Sequence, residues 1–115
     1  MSGRRIELGR HGEALAVAWY EARGYRVLAR NWRHGRLGEL DLVLAAGRSL
    51  VVCEVKTRSS TAFGWPAEAV DRRKQARLRA LAVAYMGAHE LRPASIRFDV
   101  ASVLHDEVEV IQAAF

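Results

Sequence analysis

Charged side chains stand where a buried core is expected in the stretch Gly38 to Arg58, in the middle of the chain, and three of them could do chemistry together. They are Asp41, Glu54 and Lys56. Because Glu54 and Lys56 are two positions apart in a predicted strand, their side chains leave that strand on the same face. Burying an ion costs on the order of several kcal/mol unless it is compensated. Three ions on neighbouring strands therefore indicate a role other than stability.

The chemistry that suits these three side chains is phosphodiester cleavage. Two neighbouring carboxylates favour a cation between them, and hard oxygen ligands select Mg²⁺, or Mn²⁺ as a substitute. Such a metal lowers the pKa of a bound water, and a nearby lysine can orient that water or stabilise developing charge. The alternative is a structural Glu54–Lys56 ion pair, or a strand end where both side chains reach water. Glu39 and Asp41 on the partner strand favour the site.

The residues around this cluster predict an antiparallel hairpin. In the first arm, alternation predicts a half-buried strand with Leu40, Leu42 and Leu44 on one face. The second arm, Ser49 to Thr57, is almost entirely apolar, as in a strand that is buried on both faces. Gly47 supplies the turn, since glycine readily adopts positive φ.

The remaining pattern predicts the order helix, three strands, helix and two strands. After a loose arm, Met1 to Glu7, the helices are expected at Leu8 to Arg23 and from Pro66 to about Gly87 or His89. The other strands are expected at Tyr25 to Arg30, Ser95 to Leu104 and Val108 to Ile111, with a basic loop at Asn31 to Leu37. One helix on each face of a mixed central sheet makes a three-layer α/β domain, which we expect to be a single domain over residues 1–115.

Apolar stripes predict how the two helices pack. The stripe of the first helix is Leu8, Leu15, Trp19 and Ala22. The stripe of the second is Val70, Leu78, Leu81, Ala82 and Tyr85.

The net charge of +5 favours an anionic partner, and nucleic acid is the obvious one. The candidate contacts for nucleic acid are Arg33, Arg36, Arg58, Arg72, Arg73, Lys74 and Arg77. A charge run on a helix is usually a solvated face, but salt bridges within the helix cannot explain a run of one sign. Trp32 could stack on a base or fold back on the core, and its size favours the core.

Composition excludes several classes of protein. No apolar run approaches the roughly 20 residues of a membrane span, and the N-terminus lacks the apolar region of a signal peptide, so we expect a cytoplasmic protein. The single cysteine, Cys53, lies in the central strand and is interpreted as a small core residue. Of 18 basic residues only Lys56 and Lys74 are lysines, which suggests that an ammonium is needed at Lys56, while Lys74 could be coincidental.

Several stretches in this order resemble a known family. They are Gly9 to Glu13, Gly24-Tyr25, Gly38 to Asp41, Glu54 to Arg58 and Arg97 to Val100. The chain resembles the YraN-type family of predicted endonucleases, within the PD-(D/E)XK superfamily of restriction-endonuclease-like and Holliday-junction-resolvase-like nucleases. Leu40 replaces the proline of the motif name, a position that varies in the superfamily.

The resemblance implies an αβββαβ core and a metal-dependent endonuclease acting on DNA, with branched or structured DNA in repair or recombination as the expected substrate. Asp41 and Glu54 would bind Mg²⁺ and Lys56 would assist the attacking water. The Val55 carbonyl and Glu13 or Glu39 would complete the ligands. For Glu13 the alternative is a first-turn acid that is favoured by the helix dipole. Resolvases act as dimers, so a homodimer is also an expectation. The alternative function is a non-catalytic nucleic-acid-binding module of the same fold.

Overall fold

The structure is a computed structural model that describes residues 2–58 and 70–115, with side chains from residue 7 onward. The elements in chain order are α1 (Ser2–Glu21), β1 (Arg26–His34), β2 (Gly38–Ala46), β3 (Ser49–Arg58), α2 (Arg72–Ala88), β4 (Ser95–Leu104) and β5 (Glu107–Ile111). A short 3₁₀ turn, Gly35–Leu37, joins β1 to β2. The predicted order of helices and strands is confirmed.

The five strands form one mixed sheet in the order β1-β2-β3-β4-β5. Strands β3 and β4 pair in parallel over the full length of both, from Ser49↔Ser95 to Arg58↔Leu104. The other neighbouring pairs are antiparallel. Gly47 has a φ of +59° and lies in the turn that joins β2 to β3, as predicted. The mixed sheet therefore matches the predicted αβββαβ core.

Two buried clusters lie on opposite faces of the sheet. The cluster beneath α2 contains Leu50, Val52 and Phe98 together with the predicted stripe of that helix. The cluster beneath α1 contains Val51, Cys53 and Ala101. Successive residues of β3 thus enter alternate layers, which explains the nearly continuous apolar sequence of that strand. The three-layer α/β architecture is confirmed.

The first helix differs from the prediction in length and in its buried face. It begins at Ser2, so a loose arm before Leu8 is wrong. The face against the sheet consists of Gly12, Ala16 and Tyr20, while Leu8 is 41% exposed. A Cβ atom at Gly12 would overlap the Thr57 side chain, so small residues let the helix lie close to β3. A search for large apolar residues misses a contact of this kind.

Strand β1 continues through most of the segment that was predicted as a basic loop. It ends at His34, four residues later than expected. A bulge between Val27 and Ala29 shifts the register with β2, so Val27 packs in the α1 layer and Ala29 in the α2 layer. The bulge therefore separates two apolar residues that strict alternation would place on one face. Trp32 packs edge-to-face on Tyr85, with ring centroids 5.2 Å apart, as the core interpretation expected.

The second helix begins later than predicted. Its first residue is Arg72, and the Asp71 carboxylate accepts a hydrogen bond of 2.9 Å from the Lys74 backbone N–H as a helix cap. Val70 and Asp71 are not helical, so a continuous helix from Pro66 is wrong, and Pro66 itself lies outside the described residues. Phe63 and Trp65, which could anchor a loop or touch DNA, lie outside them too.

Within residues 2–58 and 70–115, neither helix is long and apolar enough to cross a membrane.

Candidate functional site

The ladder between β2 and β3 stops at the point where the predicted site begins. Its last pair is Leu42↔Cys53. Asp41 comes directly before Leu42 on β2, and its side chain takes the place of a backbone carbonyl. Its Oδ2 accepts a hydrogen bond of 2.9 Å from the Val55 N–H. This bond fixes the Asp41 carboxylate against β3 and uses one of its oxygens.

The same break changes which layer the leucines of β2 enter. Leu40 packs beneath α2, whereas Leu42 and Leu44 pack beneath α1. The predicted common face for these three residues is wrong, because the alternation slips by one position at Asp41. Leu40 is completely buried, so the slip carries the core up to the edge of the site.

Glu54 is the most deeply buried acid of the predicted cluster, with 5% of its surface exposed. It follows Cys53 on β3 and therefore faces the α2 layer. The Lys74 ammonium on α2 lies 2.6 Å from Glu54 Oε2. This buried oxygen therefore has a side-chain ammonium as its partner at hydrogen-bonding distance, and no backbone N–H of the described residues is directed at it.

Asp41 and Glu54 adjoin each other and behave as one acidic pair. Burial and then the neighbouring Glu54 carboxylate raise the pKa of Asp41 from 3.8 to about 8. Burial alone would raise the pKa of Glu54, but Asp41 and the Lys74 ammonium outweigh it, and the pKa is lowered. The two shifts have opposite directions, so the first proton that the pair takes up goes to Asp41.

Lys56 lies beside this pair and is half-buried. Burial lowers the pKa of its ammonium, the Glu54 charge opposes that effect, and the Lys74 ammonium reinforces it. The net result is a lowered pKa, so Lys56 gives up its proton more readily than an exposed lysine. A lysine of this kind can accept a proton from water or donate one to a leaving oxygen.

The other two predicted metal ligands, Glu13 and Glu39, line clefts beside the pair. Glu13 lines a cleft of about 350 Å³ with Asp41 and Lys56. Its charge contributes to the raised pKa of Asp41, yet its Oε1 accepts a hydrogen bond of 3.0 Å from Asn31. Glu39 is exposed and lines a neighbouring hollow with Glu13. Among the residues that the structure describes, no group of three His, Cys, Asp or Glu side chains could hold a metal ion.

Asp41 and Glu54 nevertheless fit a hard cation. Mg²⁺ commonly binds one or two protein carboxylates and takes its remaining ligands from water and substrate phosphate, so a third acid is not required. The buried Glu54 oxygen, which already faces a cation in the form of the Lys74 ammonium, is the observation that fits such an ion. The Val55 carbonyl was predicted as a further ligand. Val55 lies between Glu54 and Lys56 on β3.

The predicted contacts for nucleic acid lie around the end of the sheet that contains the acidic pair. Because the strands are antiparallel, the end of β1, the start of β2 and the end of β3 lie side by side. Arg33 aligns with Glu39, and Arg36 lies in the turn before Gly38. A Cβ at Gly38 would contact the Arg77 side chain at 3.5 Å, and Arg58 ends β3. Arg72 and Arg73 are exposed on the first turn of α2.

Lys74 differs from these arginines because its ammonium points into the acidic pair. We predicted it as a nucleic-acid contact, and its position against Glu54 was missed. The sequence did contain a signal: Lys74 lies four residues after Val70 and four before Leu78, in line with the buried stripe of α2. Arg72 and Arg73 do not share this spacing.

Comparison with known proteins identifies the family. A family model described as "Uncharacterised protein family UPF0102" matches residues 12–103. The UPF0102 protein of Moorella thermoacetica is 48% identical over 121 residues, which cover 100% of both chains. The UPF0102 protein of Beutenbergia cavernae is 52% identical over 84% of this chain and 81% of its own. That of Frankia alni is 55% identical over 84% and 79%. The chain belongs to the UPF0102 family.

Proposed function

We propose that this protein is a metal-dependent endonuclease of the PD-(D/E)XK type that hydrolyses phosphodiester bonds. The observation that supports this proposal is the acidic pair of half-buried Asp41 and buried Glu54, in which the Glu54 oxygen has the Lys74 ammonium and no backbone donor of the described residues as its partner, and Lys56 lies beside the pair. Such an arrangement is costly for stability, and a cation between the carboxylates would compensate it. The adjoining arginines fit an anionic polymer.

In this proposal Asp41, Glu54 and the Val55 carbonyl hold Mg²⁺, and Mn²⁺ can replace it. When bound, the metal would lower the pKa of a water ligand and neutralise phosphoryl charge. Glu13 lies across the cleft and adds negative potential without ligating directly. Glu39 faces away from the pair, so its proposed part is to border the cleft that substrate enters.

Lys56 has the role of handling the proton of the attacking water. Its lowered pKa makes a neutral amine more accessible near neutral pH, and a neutral amine can accept that proton. Once protonated, the ammonium stabilises negative charge on the phosphoryl oxygens. Arginine could not take both roles, because its guanidinium keeps its proton.

The proposed substrate is DNA with a branched or otherwise structured region, as in repair or recombination in the cytoplasm. The support is the basic residues along the sheet edge, including Arg33, Arg36 and Arg77, and the net charge of +5. The superfamily resemblance adds branched structure and a homodimer, in which two sites would cut two strands. The substrate choice rests on analogy of fold.

The first experiment is a Mn²⁺ titration by calorimetry. Wild type should bind the metal, and a variant with Asp41→Asn and Glu54→Gln should lose that binding because both carboxylates are removed. A matched control with Asp106→Asn and Glu107→Gln removes two exposed acids and should bind as wild type does. Equal binding by all three proteins would place the metal elsewhere and contradict the proposed site.

A second candidate function is a non-catalytic module that binds nucleic acid. The observation that favours it is that the described residues bring two carboxylates together and not three. Lys56→Ala separates the two functions: it should abolish cleavage of branched, flapped and single-stranded DNA while leaving DNA affinity nearly unchanged. Cleavage by neither protein, with salt-dependent binding by both, would support the binding module.

A further inference from the structure

Lys74 is the one basic residue of the first turns of α2 that reaches the acidic pair among the described residues. Its ammonium lies 2.6 Å from Glu54 Oε2, while Arg72 and Arg73 are exposed to solvent. The helix is fixed at this point by Asp71, which caps it through the Lys74 backbone N–H. The backbone of Lys74 is therefore held in place, and its side chain is directed at the site.

The two ions of this contact differ in their freedom to move. The Glu54 side chain is 5% exposed, whereas the Lys74 side chain is 32% exposed. Glu54 lies within β3, next to the fully buried Cys53, and β3 pairs in parallel with β4 at this point. The sheet therefore fixes the position of the Glu54 backbone. Lys74 has a flexible stem of four carbons and a path to solvent. If the contact opens, it is the lysine that leaves.

The contact also occupies the oxygen that a metal would use. A second cation placed on Glu54 Oε2 would lie next to the ammonium, and like charges at that distance repel strongly inside a protein. Both cannot bind the same oxygen at full strength. The Lys74 ammonium and a divalent ion are therefore alternatives at this position.

We infer that Lys74 is an internal counterion that holds Glu54 in place while the metal is absent and yields the oxygen when the metal binds. This inference rests on the proposed function, since it concerns the regulation of the same site. It assigns Lys74 as a positioning residue of the metal-free protein. It also gives both lysines of this arginine-rich chain a place at the acidic pair.

The released ammonium has a specific place to go. Lys74 lies at the start of α2, next to the sheet edge that Arg77 and Gly38 border. A side chain that swings out of the pair would reach this edge, where the phosphate backbone of the substrate would lie. Metal loading would thus add one positive charge to the surface that receives DNA.

The test is the Mn²⁺ affinity of Lys74 variants, measured by calorimetry without DNA. Lys74→Met removes the competing charge and should tighten Mn²⁺ binding by about tenfold, because even a screened unit charge at this distance costs a divalent ion that much. Lys74→Arg keeps the charge and should bind Mn²⁺ much as wild type does. Arg73→Met removes a charge one residue away and should leave the affinity unchanged.

The second measurement is thermal unfolding without metal, where the uncharged Lys74 variants should be less stable than wild type. Lys74→Met should lower the Tm, since it leaves Glu54 buried without its counterion, and Mn²⁺ should raise the Tm of this variant more than that of wild type. Lys74→Gln provides the same comparison if the methionine variant does not fold. A merely structural lysine would lower the Tm without tightening the metal.

The outcomes separate this inference from the proposed function. Mn²⁺ binding by wild type, with unchanged or weaker binding by Lys74→Met and Lys74→Gln, would overturn the counterion and leave the proposed metal site standing. No Mn²⁺ binding by wild type or by either variant would overturn both. Tighter binding by Arg73→Met as well would show that general charge, and not the contact with Glu54, sets the affinity.

Discussion

Asp99 and the acidic pair lie on opposite faces of the sheet and have very different surroundings. Asp99 on β4 is 1% exposed and pairs in register with Cys53 on β3, and Glu54 is the next residue of β3. Around Asp99, Arg97 donates two hydrogen bonds of 2.8 and 2.9 Å, the Tyr20 hydroxyl donates one of 2.6 Å, and the Ala113 N–H donates one of 3.0 Å. Both of its oxygens are fully satisfied.

The acidic pair on the other face has two carboxyl groups but fewer hydrogen-bond donors than Asp99 has. Asp41 receives a backbone N–H from Val55, and Glu54 has an ammonium at 2.6 Å and no backbone donor among the described residues. The two carboxyl groups adjoin each other, and the pKa of Asp41 is raised by burial and by Glu54. The surroundings of Asp99 are typical of a structural charge, and those of the acidic pair are typical of a ligand site.

The contrast shows how a buried carboxylate can be assigned before any ligand is known. A structural acid collects donors from several elements, here α1, β4 and the segment after β5, and its removal leaves those donors without an acceptor. An acid that is built for a ligand has a cation and not fixed backbone donors at its oxygen, and it accepts repulsion from its neighbour. The same sheet contains both, since Asp99 pairs with Cys53 and Glu54 is the next residue of β3.

The largest expected effect is on the structural side of this comparison. Asp99→Asn should lower the free energy of unfolding by about 3 kcal/mol, because it leaves the Arg97 guanidinium partly buried without its counterion. Urea unfolding at pH 7 measures it. Asp106→Asn removes an exposed acid and should change stability by no more than about 0.5 kcal/mol. A loss that small for Asp99→Asn would remove the distinction between the two regions.

Much of the site could be predicted because it lies in strands with simple patterns. Period-two spacing placed Glu54 and Lys56 on one face, and the apolar run of β3 indicated burial on both sides. The limits of β4, Ser95–Leu104, are those predicted. The alternation of β4 also places Arg97 and Asp99 on one face, where the two form an ion pair.

The failures share a different cause, which is contact between elements that are distant in sequence. The close approach of α1 depends on Gly12 against Thr57, and no periodicity in α1 reveals Thr57. The bulge in β1 and the slip at Asp41 move side chains between layers, and both depend on the partner strand. The Lys74–Glu54 contact required knowing which strand the start of α2 crosses.

A smaller effect tests whether the donors around Asp99 act independently. Tyr20→Phe removes the hydroxyl that donates at 2.6 Å and leaves the Arg97 pair intact. We expect a loss of about 2 kcal/mol in the free energy of unfolding, typical of one hydrogen bond to a charged group. Urea unfolding should show this loss with an unchanged m-value. A loss as large as that of Asp99→Asn would mean that the network fails as a unit.

A third effect concerns the acidic pair, depends on pH and has the opposite sign. The pKa of Asp41 is raised to about 8, so its proton stabilises the folded state. That contribution is complete below the unfolded value near 3.8 and is lost as pH rises through about 8. Asp41→Asn cannot ionise, and without metal it should become more stable relative to wild type as pH rises from 4 to 8. A single pKa unit of the rise corresponds to about 1.4 kcal/mol.

Urea unfolding of wild type and Asp41→Asn at pH 5 and pH 8.5, with a chelator present, measures this difference. Glu107→Gln, an exposed acid on β5, is the control and should follow wild type at both values. The lowered pKa of Glu54 acts in the opposite direction but below pH 5, because its stabilisation is lost only as pH falls through that pKa. A constant difference between wild type and Asp41→Asn would mean that Asp41 is ionised throughout. The pair would then resemble Asp99, a charge already compensated by the protein, and the argument for a cation between the carboxylates would lose its basis.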